Sequence, residues 1–277
     1  MDDVDWCGLF HARGPAGDTP RHLAALIGEG DDRAFVDGYA HLWSVTLRRE
    51  GKAWPVTAPT AMIAATFLDD ASLWPDDPSM TDAMLAYLYA VGTAADLGDG
   101  AEEIRAQVEG LAPQLRAWTG DYLSADADAR TLMWQNDTGL GELVLDQAAL
   151  ACFDLAPTLL RRALPHLASA RPLSRTSAAA AVGSLARNPS ASARRPALRQ
   201  QLTSTAQAAG SAHERATIVV AVGDLGGDTR IQAGPPNRRS GRDHTARPDL
   251  KLTAASTRVT FRAVLGRPIH KSSPHPV

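Results

Sequence analysis

Lysine, aromatic residues and cysteine are all scarce in this chain of 277 residues. Lysine occurs only at Lys52, Lys251 and Lys271, against 25 arginines, and aromatic residues make up 5% of the total. β-Branched residues are also sparse through the first two hundred positions, although strands favour both β-branched and aromatic side chains. Alanine dominates instead, and alanine and leucine are the best helix formers. These scarcities argue against a β-sheet protein and predict an all-α fold.

Cysteine is limited to Cys7 and Cys152, which lie far apart and outside any C-x-x-C motif. Two thiols cannot staple a chain of this length, so we expect buried or incidental thiols in a reducing compartment. The amino terminus is acidic where a secretory signal is basic. No run approaches the roughly 20 apolar residues that a membrane span needs. We therefore expect a cytoplasmic protein with no membrane partner.

The common catalytic motifs are missing too. The chain has no G-x-x-x-x-G-K-[ST] phosphate loop, no G-x-S-x-G elbow and no H-E-x-x-H zinc motif. Its two G-x-G segments, residues 98–100 and 139–141, follow no predicted strand, so both are expected to be turns. The sequence thus predicts no enzyme activity, no catalytic residue and no cofactor.

The histidines are scattered along the chain, and no two of them have metal-ligand spacing, so a metal site is not expected. His11 lies in a loop rich in glycine and proline, and Asp18 could orient its imidazole as a general base. The alternative is a loop histidine that forms a hydrogen bond with its own turn. His41 lies within a predicted helix, beside Trp43.

Apolar residues recur at spacings of three and four between short turns of aspartate, glycine and proline, which predicts amphipathic helices. The acidic pairs Asp31-Asp32, Asp69-Asp70 and Asp76-Asp77 fall at the predicted helix boundaries, where capping explains them better than catalysis does. Asp121, Asp126 and Asp128 are interpreted in the same way. Beyond the first two helices, the predicted segments cover residues 58–69, 80–97, 101–118, 127–136, 143–153, 156–169 and 194–209.

One internal match indicates a repeat. Residues 177–185 (SAAAAVGSL) and 217–225 (TIVVAVGDL) align at an offset of 40, with identities at Ala181/Ala221, Val182/Val222, Gly183/Gly223 and Leu185/Leu225. An offset of 40 residues fits the two-helix units of HEAT and armadillo proteins. The small residues Gly183 and Gly223 would let neighbouring helices approach closely.

With these residues, and with Arg175 and Arg215 opening the two helices, the chain resembles the HEAT-repeat proteins of high-GC bacteria. This family includes the short HEAT-like repeats of phycobiliprotein lyases. The resemblance implies a HEAT/armadillo-like α-solenoid of stacked antiparallel helix pairs over residues 1–229. Such repeats present surfaces, so we expect a non-enzymatic scaffold that binds an unidentified protein partner on its concave face. Nucleic-acid association is the alternative, and a lyase-like bilin chaperone is a third, weaker interpretation.

The character of the chain changes after residue 229. Residues 1–229 carry 18 basic and 29 acidic side chains, a net charge of −11, whereas residues 230–277 carry 10 and 2, a net charge of +8. This segment also contains six prolines and lacks helical periodicity. It could be an irregular, disordered basic tail, an out-of-frame end that replaced further repeats, or a small basic domain. Nucleic acid could bind only through this basic tail, because phosphate binding needs clustered positive charge.

All six tryptophans lie in the amino-terminal half, and five of them fall one per predicted turn or helix. Packing between repeats is the simpler explanation, but tryptophan is enriched in binding hot spots. If several of them faced one wall, they would anchor a partner. The candidate binding residues are Trp43, Trp54, Trp74, Trp118 and Trp134.

Overall fold

The computed structural model describes residues 3–28, 30–47, 52–70, 72–74 and 77–226, which belong to one compact unit, Met1–Gln232. The predicted basic tail, residues 230–277, lies outside the described residues. Within them, almost all regular structure is helical, as the composition predicted. The elements are strands β1 (Phe10–His11) and β2 (Gly14–Pro15), which form an antiparallel hairpin, and helices α1 (Thr19–Ala25), α2 (Asp32–Ser44), α3 (Thr57–Phe67), α4 (Ser79–Ala94), α5 (Ala101–Gly110), α6 (Ala112–Ser124), α7 (Ala127–Asn136), α8 (Thr138–Ala163), α9 (Pro172–Leu185), α10 (Arg195–Gln207) and α11 (Ala212–Asp224).

Aspartates cap two of these helices in the way the sequence predicted. The carboxylate of Asp31 accepts a hydrogen bond from the backbone N–H of Ala34 at 2.8 Å, at the start of α2. Asp126 accepts one from Ala129 at the same distance, at the start of α7. Each bond satisfies a backbone donor that has no partner within the helix. Asp121 differs from this expectation, because it lies inside α6.

The prediction of one helix over residues 101–118 is wrong. The chain ends α5 at Gly110 and starts α6 at Ala112. Pro113 is the reason, because proline has no N–H for a bond within a helix and is favoured in a first turn.

The opposite error occurs in α8, where two predicted helices are one. Pro157 lies inside this helix of 26 residues and leaves the carbonyl of Phe153, four residues earlier, without its helical donor. The side chain of Asn188 supplies a replacement, since its Nδ2 donates to the Phe153 oxygen at 2.7 Å. A residue 31 positions along the chain from Pro157 therefore allows the helix to continue, and the local sequence gave no sign of it.

Three helices, α4, α9 and α11, pack side by side, with α9 in the middle. All three carry the tripeptide Ala-Val-Gly, at residues 90–92, 181–183 and 221–223. A Cβ atom added at Gly92 would lie 2.5 Å from Oγ of Ser184 on α9, and one added at Gly183 would lie 2.9 Å from Cβ of Ala221 on α11. Glycine therefore allows both close approaches, as we predicted for Gly183.

Charged side chains join the same three helices at their ends. Asp82 on α4 is buried and accepts hydrogen bonds from Ser174 and from Arg171, at the start of α9. On the other side of α9, Arg175 donates to the buried carboxylate of Glu214 on α11.

At the opposite end of this layer, Arg187 forms ion pairs with Asp96 at 2.7 Å, just beyond α4, and with Asp224 at 3.2 Å on α11. Each neighbouring pair of helices in the layer is thus linked by charge as well as by apolar packing.

A second, smaller core lies beside the main one. It is formed by apolar side chains of β1, α5, α6 and the start of α8, and α7 packs beside it on α8. The stretch Thr138–Ala168, which includes α8, is long and apolar enough to cross a membrane by length and composition alone, contrary to the sequence-based expectation. In the fold, its apolar side chains pack against α3, α4, α5 and α9.

Candidate functional site

The β1–β2 hairpin lies where the two cores meet, and His11 fixes its turn. Nδ1 of His11 accepts a hydrogen bond from the backbone N–H of Arg13 at 3.1 Å. The other ring nitrogen, Nε2, lies 2.9 Å from Oδ1 of Asp18. Because Nδ1 is an acceptor, Nε2 carries the single ring proton and donates a hydrogen bond to Asp18. The imidazole is therefore neutral. Both sequence-based interpretations of His11 are therefore partly met, since it bonds its own turn and also Asp18.

Two further histidines join this network from α1 and α2. His22 and His41 stack at 4.2 Å between ring centroids, and Nε2 of His41 lies 2.9 Å from Oγ1 of Thr19. Burial lowers the pKa of His41 to about 3, and the neighbouring His22 contributes to this shift. Burial also lowers the pKa of His22. We call His11, Asp18, Thr19, His22 and His41 the histidine network.

Potential metal ligands do converge here, which spacing along the sequence did not indicate. Ligand atoms of His11, Asp18 and His41 all lie within 4.8 Å of one another. A metal-bound histidine usually donates its second ring N–H to an oxygen. Nδ1 of His11 instead accepts from Arg13, which leaves the proton on the nitrogen that faces Asp18. The hydrogen bonds thus favour a proton-sharing network over a metal centre.

The same hydrogen bonds leave neither ring nitrogen of His11 free. A general base needs a free nitrogen within reach of a substrate proton. Both nitrogens of His11 are engaged, and Thr19, the hydroxyl beside His41, is fully buried. Within the network, His11 connects the hairpin turn to Asp18, just before α1.

Beyond that turn lies an open cleft of about 460 Å³. Its floor is aromatic, and two arginines stand at its edge, Arg13 from the hairpin turn and Arg130 from α7. We call it the aromatic cleft. It is lined by Ala12, Arg13, Trp54, Tyr122, Ala127, Arg130, Thr131 and Trp134.

Arg130 is held in a specific position. Its Nε donates to the backbone oxygen of Asp126 at 3.2 Å, and its guanidinium carbon lies 5.8 Å from the centroid of the Tyr122 ring. Its Nη1 packs against Gly14, where any Cβ atom would collide with it. Gly14 also has φ +122, a conformation that side chains with a Cβ rarely adopt. The backbone angle therefore favours glycine here, and glycine also leaves room for the end of the Arg130 side chain.

The five predicted tryptophans do not share one wall. Trp43 packs edge-on against Tyr87 in the main core, and Nε1 of Trp74 donates to the backbone oxygen of Leu26 at 2.7 Å. The other three come together around the cleft. Trp54 and Trp134 line it, and Trp118 lies beneath, with its ring 5.2 Å from that of Trp134.

Helix α7, which forms one side of the cleft, is weakly packed. None of its side chains is fully buried, and Leu132 is 55% exposed. Helices of globular proteins normally bury an apolar face. The cleft-lining residues Ala127, Arg130, Thr131 and Trp134 share one face of α7, and Leu132 lies on the opposite face.

Sequence reasoning missed Arg13, Arg130 and Tyr122 as site residues. One signal was available, because Arg130 and Trp134 lie four residues apart in a predicted helix and so share a face. Arg13 and Tyr122 reach the cleft only through the tertiary fold, so no local sequence pattern marks them.

Comparisons with protein-family models, curated proteins and solved structures gave no match to this chain.

Proposed function

We propose that this chain is a non-enzymatic helical-repeat scaffold, a HEAT-like α-solenoid, that binds a protein partner at the aromatic cleft. Contacts between consecutive helices support the repeat arrangement. Helix α3 packs on α4, α8 on α9, and α10 on α11, so three pairs of consecutive helices are in contact. In this scheme α4, α9 and α11 are equivalent helices, and α5, α6 and α7 form an insertion between the first and second pairs.

The shared Ala-Val-Gly tripeptide is the best support for that equivalence. In α4 and α9 its glycine contacts the next helix of the layer, so the same residue type serves the same packing role twice. The offset of 40 residues between the α9 and α11 tripeptides is that of a HEAT unit, and the offset of 91 between α4 and α9 leaves room for the insertion.

The aromatic cleft beside α7 is the observation on which the binding function depends. It joins aromatic side chains and two arginines on one surface, and tryptophan, tyrosine and arginine are the residues enriched in binding hot spots. Among the described histidines, the buried cluster is committed to internal hydrogen bonds, which agrees with binding and not with chemistry.

Affinity capture from the source cell tests this function. The full chain should enrich a specific protein, and Trp134→Ala should reduce that enrichment about tenfold or more, because it removes part of the cleft floor. Trp74→Ala is the matched control, since Trp74 packs in the main core away from the cleft. If the wild type and a folded Trp134→Ala variant captured the partner equally well, the proposal would be contradicted.

A further inference from the structure

Two cationic side chains, Arg13 and Arg130, line the cleft. Neither Arg13 nor Arg130 forms an ion pair within the described part of the chain. Nη1 of Arg130 is buried against Gly14 and has no hydrogen-bond acceptor among the described residues, so a ligand in the cleft would reach this atom only after the side chain moves. A buried donor without a partner is unfavourable, whereas a carboxylate can accept two parallel bonds from one guanidinium. An anionic group is therefore the complement of this edge of the cleft.

The aromatic floor of the cleft favours a second kind of group, an aromatic ring. The rings of Trp54 and Tyr122 each meet Trp134 at 6.1 Å with an interplanar angle of 80°. Aromatic rings prefer such edge-to-face contacts with further rings. A cleft of about 460 Å³ is also within the size range of sites that accept a ring-sized group.

We propose that the aromatic cleft recognises an acidic residue adjacent to an aromatic residue in an exposed segment of the partner protein. The carboxylate would lie between Arg13 and Arg130, and the aromatic ring would pack on Trp54 and Trp134. This inference rests on the proposed function and gives the chemistry of the partner.

The charge of the chain favours a peptide carboxylate over a nucleic-acid backbone. Residues 1–229 carry a net charge of −11, which repels a nucleic-acid backbone but tolerates a single carboxylate.

The test uses the full chain and three peptides, each acetylated and amidated at its ends: Ser-Gly-Asp-Phe-Gly-Ser, the same peptide with Asn for Asp, and the same peptide with Ala for Phe. Tryptophan fluorescence reports binding, because two tryptophans line the cleft. The Asp-Phe peptide should bind at least about tenfold more tightly than either counterpart, as expected for loss of a charge-assisted hydrogen bond or of a buried ring.

Variants assign that binding to the cleft. Arg130→Met should weaken binding of the Asp-Phe peptide about tenfold, and Arg130→Lys should weaken it less, because the charge remains. Arg116→Met is the matched control on α6, where Arg116 is exposed and outside the cleft. Equal thermal unfolding midpoints would show that the variants fold.

Three results would overturn the inference: equal binding of the Asp and Asn peptides, equal binding by the wild type and Arg130→Met, or equally tight binding of free phenylacetate, which would indicate a small-molecule site. If the peptide fails while Trp134→Ala still abolishes partner capture, the acidic–aromatic chemistry is wrong and the proposed function stands. If partner capture does not depend on the cleft, the proposed function itself fails.

Discussion

Single residues determine whether the hairpin turn keeps its place beside the cleft. His11 connects the backbone of Arg13 to Asp18, and Gly14 leaves room for Arg130. The sequence reasoning identified the His11–Asp18 pair, because the two residues are close along the chain. It could not identify His22 and His41 as neighbours, since they reach the network from α1 and α2 only after these helices pack together.

Acid should destabilise the fold through His41. Its pKa is lowered from about 6.5 to about 3, chiefly by burial, so the unfolded chain takes up a proton first as the pH falls. The contribution of neutral His41 to the free energy of unfolding is therefore complete above pH 6.5. It is lost between about pH 6.5 and 3. His41→Gln should make the fall in unfolding free energy between pH 7.5 and 5 smaller, by on the order of 1–2 kcal/mol.

Urea unfolding at several pH values measures this difference. His213→Gln is the control, because His213 is exposed on α11 and should leave the pH dependence as in the wild type. An unchanged slope in His41→Gln would show that His41 is not held neutral by burial.

Replacing the glycine at the contact of α9 and α11 should destabilise the fold. A Cβ at Gly183 would lie 2.9 Å from Cβ and 3.0 Å from Cα of Ala221, so the backbone of α11 would have to move. We expect Gly183→Ala to destabilise the fold by roughly 1–3 kcal/mol, as overpacking does. Gly120→Ala is a sharp control, because Gly120 lies inside α6 with open space around it.

That control should stabilise the fold slightly, by about 0.5–1 kcal/mol, since alanine has the higher helix propensity. Opposite signs for the two substitutions, measured by denaturant unfolding, would support the close approach. A neutral Gly183→Ala would mean that α9 and α11 can separate at little cost.

At the scale of elements, the sequence predicted the helical type well and the helix boundaries poorly. The capping aspartates placed the starts of α2 and α7, because capping depends on neighbours a few positions away. The continuity of α8 through Pro157 depends on Asn188, which no local pattern reveals. The same limit applies to the cleft, whose lining comes from the hairpin, the segment before α3, and α6 and α7.

The contribution of the Asn188 hydrogen bond to the stability of α8 can be measured with a double-mutant cycle. Asn188→Ala should cost about 1–3 kcal/mol, because it leaves the buried carbonyl of Phe153 without a donor. In a Pro157→Ala background the cost should be smaller, since the N–H of residue 157 can then bond that carbonyl. Additive effects of the two substitutions would show that Asn188 acts independently of the proline.

At the scale of the whole molecule, charge is divided unevenly along the chain. The net charge is −11 over residues 1–229 and +8 over residues 230–277. Any attraction to DNA should therefore come from the basic segment alone and weaken steeply with salt. A chain ending at Gln232, the last residue of the compact unit, should bind DNA no better than an uncharged control protein.

Gel-shift assays at 50 mM and 200 mM salt compare the full and shortened chains. Salt-sensitive binding that persists in the shortened chain would favour the nucleic-acid alternative over the protein-binding scaffold. The thermal unfolding midpoint of the shortened chain should match that of the full chain, since the main helical core lies before residue 232.

The two thiols differ so much in burial that their reaction rates report local opening of the fold. Cys7 is exposed, whereas Cys152 is inaccessible within α8 and burial raises its pKa to about 12. At pH 8 an alkylating reagent should modify Cys7 at once and Cys152 only during rare excursions that expose α8. The ratio of the two rates would therefore give the free energy of those excursions in native buffer, without any denaturant.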